Sequence, residues 1–188
     1  MQVLRQADYR RMPWKNGGGE TTEVTISPPG AGLDVFDWRI SMALVKGDGP
    51  FSIFPGIDRT LSILDGNGMR LDIAGARHDL TRASAPLAFP ADVATDAVLM
   101  DGAITDLNVM SRRATFRHKV ERFDGAGNFA SDADVVAVLV DTGRVTVTAA
   151  ESAALGPRDS AILNAPRSVT VAAKEPARGY VISFWKIA

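Results

Sequence analysis

Cysteine is absent from all 188 residues. That excludes a disulfide framework, a thiolate-based zinc site and a thiol nucleophile. Histidine is nearly as scarce. Nothing in the spacing of the two, His78 and His118, brings them together, so each reads as an ordinary structural residue. Neither sign of charge dominates: 21 Lys and Arg face 22 Asp and Glu, for a formal net charge of −1. Broad electrostatic binding of nucleic acid needs a basic surface that displaces counterions, and this chain lacks one. The longest apolar run, Val135 to Val140, falls far short of the ~18 residues of a membrane helix. The N-terminal stretch MQVLRQADYRR has no signal-peptide core. A cytoplasmic protein with no membrane or nucleic-acid partner is therefore expected. Nucleophile elbows of the G-x-S-x-G type and H-E-x-x-H zinc spacings are also missing.

What is present reads almost entirely as strand. Trp38, Ile40, Met42 and Leu44 alternate with Arg39, Ser41, Ala43 and Val45, a period of two along the whole segment. Stretches rich in Thr, Val, Ile and Leu recur at 21–26, 60–64, 69–73, 103–110, 135–140, 144–148, 168–172 and 180–185. Turn signals such as Asp65-Gly66, Asn67-Gly68, Asp101-Gly102 and Thr142-Gly143 separate them. Many short strands with Gly and Pro turns predict an all-β sandwich or barrel. A faint repeat sharpens this. RTLSILDGNGMRLDI is echoed by DVVAVLVDTGRVTVT, APLAFPADV by DSAILNAPRSV, and ITDLNVM by GYVISFW. The offset of about 75 residues predicts two copies of one small barrel. The polar, Gly-containing stretch from Asp124 to Asp134 is the expected linker, giving domains 1–123 and 124–188.

Four blocks carry a family resemblance: PWKNGGGETTEV from Pro13, DWRISMA from Asp37, GPFSIFPGIDR from Gly49 and TDLNVMSRR from Thr105. Together they resemble the HutD family, also called Ves, over Met1 to about Phe123; the remainder is similar mainly in pattern. The resemblance implies a bicupin, two antiparallel β-barrels of the double-stranded β-helix or jelly-roll type. It also implies a modulator of bacterial histidine utilisation, with no established catalytic activity in the family.

The first cupin motif, G-x5-H-x-H-x3-E-x6-G, fits Gly47, Ile53, Pro55, Arg59 and Gly66 in spacing but not in chemistry. Ile, Pro and Arg replace the His, His and Glu that would hold a metal. Near the second motif stand Pro90, Asp92 and Thr95. No metal, no other cofactor and no catalytic residue are expected. The inward position of Arg59 makes it the leading ligand-binding residue, because an inward guanidinium is costly unless paired. Arg39 and Ser41 lie on the face opposite Trp38, Ile40 and Met42. Asp106 and Asn108 lie opposite Leu107 and Val109, with Arg112 continuing their face. Asp106 is expected to pair with one arginine, leaving another to take a ligand carboxylate in a bidentate fork. Asn16, Gly17 and Gly18 complete the candidate set, as an anion-binding nest or else a tight turn. Phe51, Phe54 and Trp38 read as core in preference to pocket wall. The favoured function is a metal-free binding module for a small anionic metabolite, compatible with a homodimer; the resemblance implies a histidine-breakdown intermediate such as urocanate or formylglutamate as that metabolite. A cofactor-free isomerase or hydrolase and a structural or docking protein are the alternatives.

Overall fold

A computed structural model describes residues 1–15 and 17–187. The first strands are β1 (Gln2–Leu4), β2 (Arg10–Pro13), β3 (Gly19–Ser27), β4 (Trp38–Val45) and β5 (Gly49–Pro50). Next come β6 (Ile57–Asp65), β7 (Met69–Ile73), β8 (Ala76–Leu80), β9 (Leu87–Pro90), β10 (Thr95–Leu99) and β11 (Ile104–Arg112). Then follow β12 (Phe116–Asp124), β13 (Gly127–Ala130), β14 (Val135–Thr142) and β15 (Val145–Thr148). The last are β16 (Ser152–Leu155), β17 (Ser160–Asn164), β18 (Ser168–Ala172) and β19 (Arg178–Lys186). A short 3-10 turn at Gln6–Asp8 is the one helical element among the described residues.

The strands form two compact units. Arg10–Thr115 makes one, and Met1–Tyr9 joins the chain from Phe116 onward in the other. In the Arg10–Thr115 unit an antiparallel sheet of order β2-β3-β4-β11-β6-β9 covers a second of order β5-β10-β7-β8. Val45, Leu61, Ile63 and Ile104 from the first meet Met69, Leu71, Ile73 and Leu80 from the second in one buried cluster. The other unit has sheets of order β1-β17-β14-β19-β12 and β13-β18-β15-β16. Its interior is aliphatic, built on Val136, Val138, Val140, Val147, Leu163 and Val171. The two sheets of each unit share no ladder among the described residues, so each barrel is open along its seams.

The repeat is visible in the ladders. The order β9-β6-β11-β4 in one unit corresponds to β17-β14-β19-β12 in the other, and β5-β10-β7-β8 to β13-β18-β15-β16. The chain divides differently from the expected 1–123 and 124–188. The three-residue β1 pairs with β17, so the N-terminus completes the C-terminal unit. Tyr9 Oη lies 2.8 Å from Ser160 Oγ, and Asp159 accepts hydrogen bonds from Arg5 Nη1 and the Gln6 amide. β12 also goes with the C-terminal sheet, since its whole length pairs with β19. The expected linker contains strand β13, paired with β18.

The two histidines lie on separate strands: His78 on β8 opposite Leu71, and His118 on β12 against the Phe184 ring. Arg158 has a side chain only 13% exposed and reaches Asp141 Oδ1 at 3.0 Å. Arg178 holds the other oxygen of that buried carboxylate.

Gly179 on β19 is required by space. A Cβ there would overlap the Leu139 carbonyl oxygen and the Phe123 ring. Gly179→Ala is expected to cost about 1–3 kcal/mol, the usual range for overpacking a core. Urea denaturation measures it, and an unchanged midpoint would refute the argument.

Candidate functional site

The larger sheet of the Arg10–Thr115 unit presents its inward face in rows set by register. Residues opposite one another in antiparallel strands share a face. One row is Arg39, Met110 and Arg59; the next is Glu23, Ser41, Asn108 and Leu61; the third is Thr21, Ala43, Asp106 and Ile63. Beyond the third row the face becomes aliphatic, with Val45 and Ile104 opposite one another in the core. The polar rows border a cavity of about 560 Å3, a size suited to a small metabolite. Arg39, Ser41, Arg59, Asp106 and Asn108 all line it, with Trp14, Leu33, Phe51 and Phe54 among its walls. A smaller cavity of about 330 Å3 in the other unit includes Glu151, which takes the N-terminal ammonium at 3.1 Å.

Charge is arranged unevenly in the larger cavity. Arg39 is neutralised: its Nε donates to Glu23 Oε2 at 2.8 Å. Arg59 has no such carboxylate. Its guanidinium, on a residue 3% exposed, donates from Nη2 to the Ser52 carbonyl at 3.3 Å. Its Nε has no hydrogen-bond partner in the protein. Three phenyl rings surround it, with centroids 5.2 Å (Phe51), 5.4 Å (Phe54) and 5.9 Å (Phe89) from Cζ. These faces hold a cation in place without neutralising it. Burial pushes the Arg59 pKa down to about 10, and the charge of Arg39 adds to that; the charge of Asp106 opposes it. Asp106, on a residue 1% exposed, is pushed up to about 7 by burial, against the pull of Arg59 and a backbone hydrogen bond from Ala43.

The HutD family profile matches residues 6–181. The chain belongs to that family. An uncharacterised 21.2 kDa protein in the hutC 3′ region of Pseudomonas putida is 38% identical over 150 residues, covering 80% of this chain and 78% of that protein. Protein Ves of Citrobacter koseri is 38% identical over 137 residues, covering 70% of this chain and 71% of its own length. The structure of HutD from Pseudomonas fluorescens SBW25 superposes with a TM-score of 0.87 at 32% identity, covering 100% of this chain and 99% of the other. A cupin 2 conserved barrel domain protein from Leptotrichia buccalis reaches a TM-score of 0.59 at 11% identity, covering 96% and 99% of the two chains. The last likeness is one of fold alone. The HutD-family chain thus has a cupin-type all-β fold.

Five candidate residues of this HutD-family chain converge on the cavity: Arg39, Ser41, Arg59, Asp106 and Asn108. Three others do not join them. Arg112 keeps the expected strand parity, but Nε donates to the Phe36 carbonyl and Nη2 to the Asp34 carbonyl, bracing the β3–β4 connection. Gly17 and Gly18 form a tight turn in place of a nest. The Gly17 amide donates to the Trp14 carbonyl at 3.0 Å, and the Gly18 carbonyl accepts from Lys46. Asn16 lies outside the described residues.

The cupin spacing holds only at Arg59. Ile53 is 58% exposed and Pro55 is also exposed, both in the loop before β6, so neither replaces a ligand on the barrel wall. Asp92 is bound by Arg113 and the Gly56 amide. Among the described residues, no three His, Cys, Asp or Glu side chains gather to hold a metal.

The expected pairing of Asp106 with an arginine is also corrected. Glu23 is the partner of Arg39, and Asp106 Oδ1 has no hydrogen-bond partner. Phe51 and Phe54, read as core, pack against core clusters and also form cavity wall; Trp38 is buried away from it. Trp14 is a wall residue that the sequence reading missed, fixed by its Nε1–H donating to Thr21 Oγ1 at 2.8 Å. The PWKN block could have flagged it, because Trp14 precedes the turn whose far side re-enters the sheet.

Proposed function

We propose that this protein is a binding module for a small carboxylate metabolite of histidine breakdown, such as urocanate or formylglutamate. It would act as a modulator of histidine utilisation. One observation carries the reading: Arg59 is a buried cation, lacking a carboxylate partner, with an unpartnered Nε on the wall of a metabolite-sized cavity. A ligand carboxylate would supply the missing counter-charge and acceptors in the planar geometry that guanidinium favours. Nearby Arg39 is already neutralised by Glu23, so it adds positional rigidity and little attraction. The hutC-region name of the Pseudomonas putida relative supports the link to this pathway. The Pseudomonas fluorescens HutD structure belongs to a formate condition, formate being the smallest carboxylate.

Thermal denaturation with increasing urocanate or formylglutamate tests the reading. Stabilisation should grow with the logarithm of ligand concentration, reaching about 2.7 kcal/mol at a hundredfold excess over Kd. A melting temperature indifferent to both ligands, and to other small carboxylates, would overturn it.

The near-neutral titration of Asp106 favours a second reading, a cofactor-free isomerase or hydrolase using Asp106 as acid–base group. Prolonged incubation with either ligand followed by chromatography separates the two. Unchanged ligand is the result expected of a binding module, and turnover abolished by Asp106→Asn would establish the enzyme.

A further inference from the structure

The cavity wall holds more unmet hydrogen-bonding capacity than a carboxylate could use. Besides the Arg59 donor, two acceptors have no partner in the protein: Asp106 Oδ1 and Asn108 Oδ1. Both line the cavity, both are buried atoms, and they sit two residues apart on one face of β11. Their cross-strand neighbours give them little. Asp106 is flanked by Ala43 and Ile63, which have no side-chain donor, and Asn108 by Leu61 and Ser41. Buried acceptors left unpaired are rare in native proteins and mark a missing partner. A carboxylate is the wrong partner here, because acceptor would face acceptor. The Asn108 row lies about 7 Å along the strands from the Arg59 row, two residues of extended chain.

We infer that the cavity recognises a second group on the same ligand: an N–H, placed away from the carboxylate, that donates to Asp106 and Asn108. This rests on the carboxylate reading of Arg59 and narrows it. The ligand class is a carboxylate that carries an imidazole, amide or amine N–H. Carboxylates of equal length and shape without a donor leave both oxygens unpaired and are rejected.

Calorimetric titration of the whole protein with urocanate and with 3-furylacrylate isolates the N–H. The furan ring keeps the shape and the acrylate arm but has no hydrogen to donate. Mildly alkaline buffer keeps the imidazole neutral, so that charge does not enter the comparison. The wild-type protein should bind urocanate roughly tenfold or more tighter, the effect of leaving buried polar groups unpaired. Asp106→Leu and Asn108→Leu should each shrink that ratio, while 3-furylacrylate affinity holds or improves. If one variant fails to fold, the other still decides.

Equal affinity for the two ligands in the wild type, or a ratio unchanged in both variants, would overturn the inference and leave the carboxylate reading standing. If neither compound binds, formylglutamate and its N-methyl derivative, which has no N–H, make the same comparison; if no small carboxylate binds at all, the carboxylate reading falls and the inference falls with it.

Discussion

Arg59→Met is expected to abolish the ligand-induced rise in melting temperature while leaving a folded protein that is more stable when free. The two effects have one cause. Burial lowers the Arg59 pKa to about 10 from its usual 12.5, so the fold disfavours the charged form. Below that folded-state pKa the side chain is charged and its cost is present in full, which includes neutral pH. A shift of this size corresponds to roughly 3 kcal/mol. Methionine removes that cost but loses the ring contacts with Phe51, Phe54 and Phe89 and the hydrogen bond to Ser52. The net gain should be about 1–2 kcal/mol by urea denaturation. Binding should weaken by roughly a hundredfold or more, because a buried charge-assisted pair is lost. Arg59→Lys should recover only part of the affinity, since an ammonium cannot present two parallel donors. Arg77→Met, at an exposed position on β8, is the control. Arg158 cannot serve as one, because its guanidinium reaches the buried carboxylate of Asp141. Wild-type affinity in Arg59→Met would remove Arg59 from the site.

The all-β fold could be read because its signals are local. The alternation from Trp38 to Val45 is the parity of β4, and Thr142-Gly143 marks the end of β14 and the turn into β15. The repeat could be read for the same reason: each echo is a strand, a turn and a strand with its own apolar pattern. What could not be read is long-range pairing. β1 has three residues and little pattern, yet its register with Ser160–Ile162 assigns the N-terminus to the C-terminal unit. The candidate site divides along the same line. Parity put Arg39 and Ser41, and Asp106 and Asn108, on polar strand faces, which could equally have met water; the family blocks and the cupin register of Arg59 pointed those faces to a site. The partner of Arg39 depends on which strand lies beside β4, and that strand, β3, brings Glu23 opposite Ser41. Arg112 has the right parity but sits at the end of its strand, where backbone carbonyls of the β3–β4 connection are in reach. Ile53 and Pro55 matched a spacing whose local conformation here is loop.

Asp106→Asn should change how stability depends on pH. The carboxyl is pushed up to about 7 from its usual 3.8 by burial beside Ala43 and Ile63. An acid whose folded-state pKa is raised binds its proton more tightly in the fold than in the unfolded chain. Its contribution is therefore fully present below the unfolded value and is lost as pH rises through the folded value. Between about pH 4 and pH 7 the wild-type protein should lose up to about 4 kcal/mol through this one group, roughly 1.4 kcal/mol per pKa unit. Asparagine has nearly the same shape and no proton to lose, so the variant lacks this loss. The difference in unfolding free energy, variant minus wild type, should climb across that window and flatten above it. Taking the difference cancels the other carboxylates, Glu23 beside Arg39 included. The attraction of Arg59 for the ionised carboxylate is already contained in the pKa of about 7, so the gain at high pH should approach the full figure. Urea titrations of both proteins at intervals from pH 4 to pH 9 give the curve. A difference independent of pH would mean that Asp106 is ionised throughout, either solvated through the cavity or engaged directly by Arg59.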